Sequence, residues 1–198
     1  MNNAVKNVLC LTIITVVAGL GLGYVYDITK EPIAQMEENT KLKAYKAVFP
    51  DAADFSEADE SLVAKASANA SPEGTCDIDS AVVAEDASGG DMGYVINVTT
   101  HEGYGGDITI SMGVDNAGTV KGIEILKISE TAGLGMKATE DKFRDQFKDK
   151  AVTQFSYTKS GAKSDFEIDA ISGATITTKA VVDAVNTGLT FYSSIKGD

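Results

Sequence analysis

The sequence predicts an α+β protein in which a membrane-anchoring helix and a stalk helix precede a domain with a largely antiparallel sheet. Three observations predict this class: an uncharged apolar run near the N-terminus, a middle region in which apolar and polar residues alternate, and a C-terminal stretch with helical periodicity. With 198 residues, 43% of them hydrophobic, the chain has enough apolar material for one anchor and one packed domain.

The apolar run "NVLCLTIITVVAGLGLGYVY", from Asn7 to Tyr26, carries no charge. A helix of about 20 residues spans the bilayer core of about 30 Å. A cleaved signal peptide is the alternative, but its apolar region is usually only about 7–15 residues long. Tyr24 and Tyr26 suit a membrane interface, which favours an uncleaved anchor. Lys6 precedes the run, so we predict a cytoplasmic N-terminus and an extracytoplasmic domain.

Pro32 fits the first turn of a new helix, and an apolar stripe continues from there to Val48. We therefore predict a cytoplasmic N-terminus and transmembrane helix over 1–28, a stalk helix over 29–50 and an extracytoplasmic domain over 51–198. The polar stretch 51–74 is compatible with either a helix or a mobile surface segment.

The middle of the chain reads as strands, because apolar residues recur there at every second position. The predicted strands are "SAVVAE", "GYVINVTT", "GDITISMGV" and "TVKGIEILKIS". Asp115 to Gly118, "DNAG", is a hairpin turn between the last two. "DKFRDQFKD" predicts a short helix. A final helix beginning near Thr177 presents one apolar face, formed by Val181, Ala184, Val185, Gly188, Leu189 and Tyr192.

The composition excludes several classes of function. A formal net charge of -12 repels phosphate backbones, which argues against nucleic-acid binding. Cys10 lies in the apolar run and Cys76 far outside it, so we expect no disulfide between them. The single histidine, His101, which we expect at the surface, supplies neither a zinc site nor a catalytic triad. We therefore predict no catalytic or metal-ligating residue, and any redox chemistry requires an organic cofactor.

Four hydroxyls surround small residues in "DAISGATITTKA": Ser172, Thr175, Thr177 and Thr178. The first N–H groups of a helix are unpaired and attract anions, and Gly173 lets a ligand approach closely. This chemistry is compatible with a phosphate-binding site. An ordinary helix start at which Thr175 or Thr177 is the cap explains the same residues and, from local chemistry alone, is the commoner case.

The segment "DAISGAT" resembles the Asp-x-x-Ser/Thr-Gly-Ala-Thr signature of the covalent-FMN proteins. In that family a flavin transferase esterifies the last threonine with the phosphate of FMN, so the resemblance implies that Thr175 is the acceptor. The implied neighbours of the cofactor in this segment are Asp169, Ser172, Gly173, Ala174 and Thr178.

The loop "ETAGLG" resembles the family's Glu-Thr-Pro-Gly-Leu-Gly loop near the flavin, with Ala132 at the position of the proline. The matching residues are Glu130, Thr131, Gly133, Leu134 and Gly135. The resemblance implies polar contacts from Glu130 and Thr131 and packing by Leu134. Tyr94, Tyr104 and Phe155 can also stack on a flavin, but such aromatic residues are more often part of the core.

Over nearly its full length the chain resembles the G subunit of Rnf-type ion-translocating electron transport complexes. This implies a membrane flavoprotein that relays electrons between an iron–sulfur-bearing membrane pair and a second covalent-FMN subunit. The complex would couple ferredoxin oxidation and NAD reduction to transport of sodium ions or protons across the cell membrane. The alternatives are the C subunit of a sodium-pumping NADH:quinone reductase, a flavoprotein regulator of another membrane system, and a non-redox anchored binding or assembly module.

Overall fold

The N-terminal part of the chain is a single long helix, α1, from Asn3 to Val48. It belongs to a computed structural model that describes residues 2–71 and 74–197. The helix is long and apolar enough to cross a membrane by length and composition. Pro32 lies inside it, so the prediction that a separate stalk helix begins there was wrong. Proline removes one hydrogen bond, and the good helix formers that follow, such as Ala34, Gln35 and Met36, carry the helix onward.

The chain divides into two compact units between Thr40 and Lys41. The second unit is built on a five-stranded sheet in the order β1-β2-β3-β4-β5, with every neighbouring pair antiparallel. The strands are β1 Asp54–Glu57, β2 Cys76–Glu85, β3 Asp91–Thr100, β4 Ile108–Asp115 and β5 Val120–Lys127. The α+β class and the four predicted strands are confirmed.

The predicted hairpin turn between β4 and β5 is also confirmed. The Asp115 carboxylate accepts the N–H groups of Ala117 and Thr119, both at 2.9 Å, and Gly118 has a φ of +84°. A short acidic side chain that caps its own turn, followed by a glycine in the left-handed region, is typical of tight turns. Within 51–71 the structure has the strand β1, which was not predicted, and the helix α2, Glu60–Ala70, which agrees with the helical alternative for part of this stretch.

One face of the sheet is covered by the C-terminal helix α4, Thr175–Lys196. The predicted apolar face of this helix is buried against sheet residues such as Ile96, Ile110 and Met112. Gly188 allows a close approach, because a Cβ at this position would overlap the sulfur of Met112. The helix begins two residues earlier than predicted.

Short elements complete this layer. The predicted short helix is α3, Asp141–Arg144, continued by a 3-10 turn over Asp145–Phe147. Two three-residue strands, β6 Ser156–Thr158 and β7 Glu167–Asp169, pair in parallel. Phe147 packs edge-on against Phe155 with ring centroids 5.1 Å apart, and Phe155 is buried, as expected of a core residue.

The other face of the sheet receives the last turn of α1. Tyr45, Val48 and Phe49 pack on a small cluster that includes Val82, Ala84 and Val95. A buried polar network fixes this contact and is centred on Asn97 of β3. The amide of Asn97 donates to the Tyr45 hydroxyl at 2.6 Å and to Ser80 Oγ at 2.8 Å, and its carbonyl oxygen accepts from the Ser111 hydroxyl.

We expect Tyr45→Phe to lower the free energy of unfolding by about 1–2 kcal/mol, because it leaves one buried N–H of Asn97 without an acceptor. Urea unfolding of the full chain in detergent, followed by near-UV circular dichroism, measures this. Tyr157→Phe, which removes a hydroxyl from a partly exposed ring, is the matched control and should cost less than about 0.5 kcal/mol. Equal losses in both variants would contradict this role for the network.

Candidate functional site

Three segments that are distant in sequence meet beside the start of α4. They are the loop 101–107 between β3 and β4, the loop 128–135 after β5, and the segment 169–179 that leads into α4. Glu130 joins the first two: its Oε1 accepts the backbone N–H of Tyr104 at 2.7 Å and that of Gly105 at 3.2 Å. The Glu130 side chain is therefore a bridge between two loops, and the residue is 9% exposed.

Glycines make this close approach possible. A Cβ on Gly105 would overlap the carbonyl oxygen of Ser129. A Cβ on Gly135 would lie 2.7 Å from both Glu130 Oε2 and Thr177 Oγ1. Gly173 has a φ of +79°, and its Cβ position lies 3.0 Å from the Leu134 side chain. Each of the three segments thus touches a neighbouring segment at a position where a side chain would not fit.

The loop "ETAGLG" closes on its own backbone. The carbonyl of Thr131 accepts the N–H groups of Leu134 at 3.1 Å and Met136 at 3.2 Å, and Gly133 has a φ of +75°. Ala132 is compatible with this turn, which the backbone hydrogen bonds define without a proline. Residues 131–134 are exposed, and the Leu134 side chain lies against Gly173.

Two of the four hydroxyl-bearing residues are buried, and the hydroxyl of one of them is hydrogen-bonded. Thr178 Oγ1 accepts the N–H of Ile171 and donates to the carbonyl of Ala174, both at 3.0 Å, and Thr177 is buried. The helix cap is Ala174, which makes no side-chain hydrogen bond, so the expectation of a Thr175 or Thr177 cap was wrong. Thr178 instead ties the preceding loop to the first turn of the helix through Ile171.

The other two hydroxyls remain accessible. Ser172 is exposed and Thr175 is half-buried. Within 2–71 and 74–197 no protein group hydrogen-bonds the Thr175 hydroxyl, and none accepts the backbone N–H groups of Thr175, Ile176 or Thr177. The start of α4 therefore offers three unpaired amides and one free hydroxyl at the same place. This arrangement is suited to an anionic group attached at Thr175.

Asp169 makes hydrogen bonds of its own to neighbouring segments. Its carboxylate accepts the N–H of Ala162, and its own N–H donates to the Gln146 side chain at 2.6 Å. The first bond fixes the loop between β6 and β7, and the second joins β7 to the 3-10 turn over Asp145–Phe147. Asp169 and Ser172 also line an open cavity of about 860 Å³, whose wall includes neither Thr175 nor the loop 130–135.

An ion cluster that was not predicted lies beside Thr175. Lys179 Nζ contacts Glu102 Oε2 at 2.9 Å and Asp183 Oδ2 at 2.7 Å. The hydrogen bond from Lys179 lowers the pKa of Glu102, whereas burial raises the pKa of Asp183. The Lys179–Asp183 spacing is a recognisable helical pair, but no sequence pattern indicates Glu102, which is 77 positions from Lys179.

Tyr104 differs from the other two aromatic residues under consideration. Tyr94 packs edge-on against Tyr192 with centroids 6.2 Å apart, in agreement with a core position. Tyr104 is 71% exposed although its backbone is fixed by Glu130. It is an exposed apolar ring next to the candidate site, so the expectation that it belongs to the core was wrong.

His101 lies at the surface, as expected, between two carboxylates. Its Nδ1 is 2.9 Å from Asp107 Oδ1 and its Nε2 is 3.0 Å from Asp77 Oδ2. Hydrogen bonds to Asp107 and then to Asp77 raise the pKa of His101. Both ring nitrogens can donate only in the imidazolium form, so this form ties the beginnings of β2 and β4 together.

We expect this contact to stabilise the fold in a pH-dependent manner. The stabilisation is fully present below the unfolded-state pKa of about 6.5 and is lost as the pH rises through the higher pKa of the folded chain. The difference in Tm between the wild type and His101→Gln should therefore be larger at pH 6 than at pH 8.5. Thermal scans of both proteins in detergent across this range test it. A difference that grows with pH would contradict the assignment.

Comparison with known proteins shows which sequence family the residues of this site match. A sequence model described as FMN-binding domain matches residues 103–190, which include all three segments of the site except its first two residues. Two solved structures share the fold, each with a TM-score of 0.50 over 60% of this chain. The first is NqrC of Shewanella oneidensis, which is 22% identical and is covered over 61% of its own length. The second is the C subunit of the Na(+)-translocating NADH-quinone reductase of Parabacteroides distasonis, which is 25% identical and is covered over 62% of its own length.

Relatives of known function match over almost the whole chain. The G subunit of the Na(+)-translocating ferredoxin:NAD(+) oxidoreductase complex of Acetobacterium woodii is 32% identical, over 94% of this chain and 90% of the relative. The G subunit of the ion-translocating oxidoreductase complex of Methanosarcina acetivorans is also 32% identical, over 97% and 96%. At this identity and coverage, with an FMN-binding domain around the start of α4, the chain belongs to the family of G subunits of ion-translocating oxidoreductase complexes.

Proposed function

We propose that this chain is a membrane-anchored flavoprotein subunit that relays electrons through FMN esterified to the hydroxyl of Thr175. The main observation in support of the proposal is the environment of the Thr175 hydroxyl. It is accessible and free of protein hydrogen bonds within the described residues, beside three unpaired amides, in a domain whose sequence matches FMN-binding domains.

The residues at the site fit the phosphate of FMN. The phosphodiester would carry one negative charge, and the unpaired N–H groups of Thr175, Ile176 and Thr177 are donors for its oxygens. Gly173 has no side chain to obstruct an approach to the acceptor. These groups would bind and orient the phosphate, and a covalent link would prevent loss of the cofactor by dissociation.

The apolar and polar groups of the two loops beside the start of α4 fit the ring end of the cofactor. Leu134 and Tyr104 offer apolar surface, whereas Glu130 Oε2 and the Thr131 hydroxyl make no hydrogen bond to the described part of the chain and are available for polar contacts. FMN would supply the redox chemistry, and the polar groups around it would tune its potential. Asp169 and Ser172 line the neighbouring cavity, and for Asp169 we propose that its contribution is to hold the loop rather than to contact the cofactor.

Electron relay would take place within a complex. We propose that the partners are an iron–sulfur-bearing membrane pair and a second covalent-FMN subunit, and that the complex couples ferredoxin oxidation and NAD reduction to ion transport. A flavin transferase would attach the FMN. Related G subunits are named both Na(+)-translocating, in Acetobacterium woodii, and proton-translocating, in Clostridium ljungdahlii, so the proposal covers either ion.

We propose that α1 anchors the chain, with residues 1–28 crossing the cell membrane from a cytoplasmic N-terminus, 29–50 serving as the stalk, and 51–198 forming the extracytoplasmic domain. Lys6 and the uncharged run that follows it support this orientation. A fusion of alkaline phosphatase to the C-terminus should be active in cells, and a fluorescent-protein fusion that matures only in the cytoplasm should be dark.

The test of the proposed function is the intact mass of the full chain purified from membranes of its own host. We expect the calculated mass plus that of FMN less one water, with the addition on the peptide that contains Thr175, and co-purification of redox subunits. An unmodified, colourless chain would leave the non-redox binding or assembly module as the better description. The alternative, the C subunit of an NADH:quinone reductase, predicts co-purification with the other subunits of that enzyme instead.

A further inference from the structure

Lys179 lies one helical turn beyond Thr175. Residues four apart on a helix face the same side with Cβ atoms about 5–6 Å apart. Helical side chains can lean toward the N-terminus, so Lys179 can reach the turn that carries Thr175 by a rotamer change, although in the structure its ammonium group contacts Glu102 and Asp183. An ammonium group on a four-carbon stem therefore lies within reach of an oxygen attached to Thr175.

The three donors of this ammonium group are all in use. They face Asp183 Oδ2 at 2.7 Å, Glu102 Oε2 at 2.9 Å and Glu102 Oε1 at 3.1 Å. One positive charge thus serves two carboxylates, and the cluster has a net negative charge. The contact to Glu102 Oε1 is the longest of the three and the easiest to exchange.

A phosphodiester on Thr175 would add another negative charge beside this cluster. Lys179 is the only cationic residue of α4 before Lys196 near the helix end. Without it, this part of the helix would carry the new charge and the Asp183 carboxylate with no cation. Lys179 is therefore the residue of α4 best placed to offset the charge of the phosphodiester.

We propose that Lys179 is a positioning residue for the phosphodiester on Thr175, giving up its contact with Glu102 Oε1 to donate to a phosphate oxygen. The inference rests on the proposed covalent attachment. It assigns Lys179 two tasks: it neutralises the phosphate, and it keeps the loop 101–107 joined to α4 through the remaining contact with Glu102.

The test compares the full chain in detergent, with and without attached flavin, after expression with or without a flavin transferase. The wild type, Lys179→Gln and Lys179→Arg are compared with Lys159→Gln, which removes an exposed lysine from another loop. For each protein the gain in Tm on flavin attachment and the ³¹P resonance of the attached form are measured.

Lys179→Gln should reduce the gain in Tm by about 3 °C or more and shift the ³¹P resonance. Lys179→Arg should restore much of both, and Lys159→Gln should resemble the wild type. Glu102→Gln is a second variant with the opposite expectation: it frees the lysine for the phosphate and should preserve or increase the gain.

Two results would overturn the inference, and they are distinguishable. In the first, Lys179→Gln lowers the Tm equally with and without attached flavin and leaves the ³¹P resonance unchanged. Lys179 would then only join α4 to the loop 101–107, and the proposed covalent flavin would be unaffected. A wild-type chain that acquires no covalent flavin would overturn the proposed function and this inference with it.

Discussion

Thr175→Val should abolish covalent flavin attachment altogether. Valine has nearly the shape of threonine but no hydroxyl, so no phosphoester can form, whereas the fold should tolerate the change because the Thr175 hydroxyl makes no hydrogen bond within the described residues. Flavin fluorescence in a denaturing gel and the intact mass measure the loss directly. Electron transfer through the complex should fall to background in the same variant.

The matched controls lie on the same helix. Thr190→Val removes an exposed hydroxyl far from the site and should keep full fluorescence. Thr178→Val should lower the free energy of unfolding by about 1–3 kcal/mol, because it leaves the Ile171 N–H without its buried acceptor. Full covalent fluorescence in Thr175→Val would exclude this residue as the acceptor and would make Ser172, the exposed hydroxyl of the cluster, the next candidate.

The second large effect concerns stability. Gly93→Ala should lower the free energy of unfolding by about 3 kcal/mol or more. Gly93 has a φ of +154°, and a Cβ there would overlap the carbonyl oxygen of Val114 and lie 2.7 Å from the Cα of Asp115. Both are backbone atoms of the neighbouring strand, so the sheet itself must move to admit a methyl group. Urea unfolding of the full chain in detergent measures the loss.

Gly122→Ala is the matched control for this change. Gly122 lies in the same sheet with a φ of +153°, but nothing lies within 4 Å of its Cβ position. It carries the same backbone strain without the overlap, so we expect a cost of about 1 kcal/mol. If the two variants lose the same stability, strain rather than packing accounts for the effect at Gly93.

The sheet and α4 were predictable because their patterns are local. Alternation in strands such as Asp91–Thr100 and the apolar face of Thr175–Lys196 follow directly from which residues meet the core. The continuity of α1 through Pro32 was not predictable, since proline is far more common at the first turn of a helix than in its interior. The short strand Asp54–Glu57 was missed because it gains its stability by pairing with β2, which is remote in sequence.

The candidate site likewise has a part that the sequence predicted and a part that it did not. The resemblance to the family motifs identified Thr175 and the loop after β5 as candidates. It did not predict which groups the side chains of Asp169 and Glu130 contact. Their hydrogen bonds join segments far apart in the chain, as in the bond from the Tyr104 amide to Glu130 across 26 positions. Lys179 and Glu102 became neighbours only through folding, and for that reason no pattern in the sequence predicted their ion pair.

The commitment of Thr177 and Thr178 to the interior has a consequence for maturation. In an unfolded chain, four hydroxyls within seven residues are chemically alike, and a modifying enzyme that recognised only the alcohol would label them indiscriminately. Folding withdraws two of them from solvent and leaves Thr175 beside the free amides of the helix end. Under the proposed attachment, folding would restrict modification to the two accessible hydroxyls, those of Ser172 and Thr175, of which Thr175 lies at the unpaired amides. We therefore expect flavin attachment to follow folding of the domain.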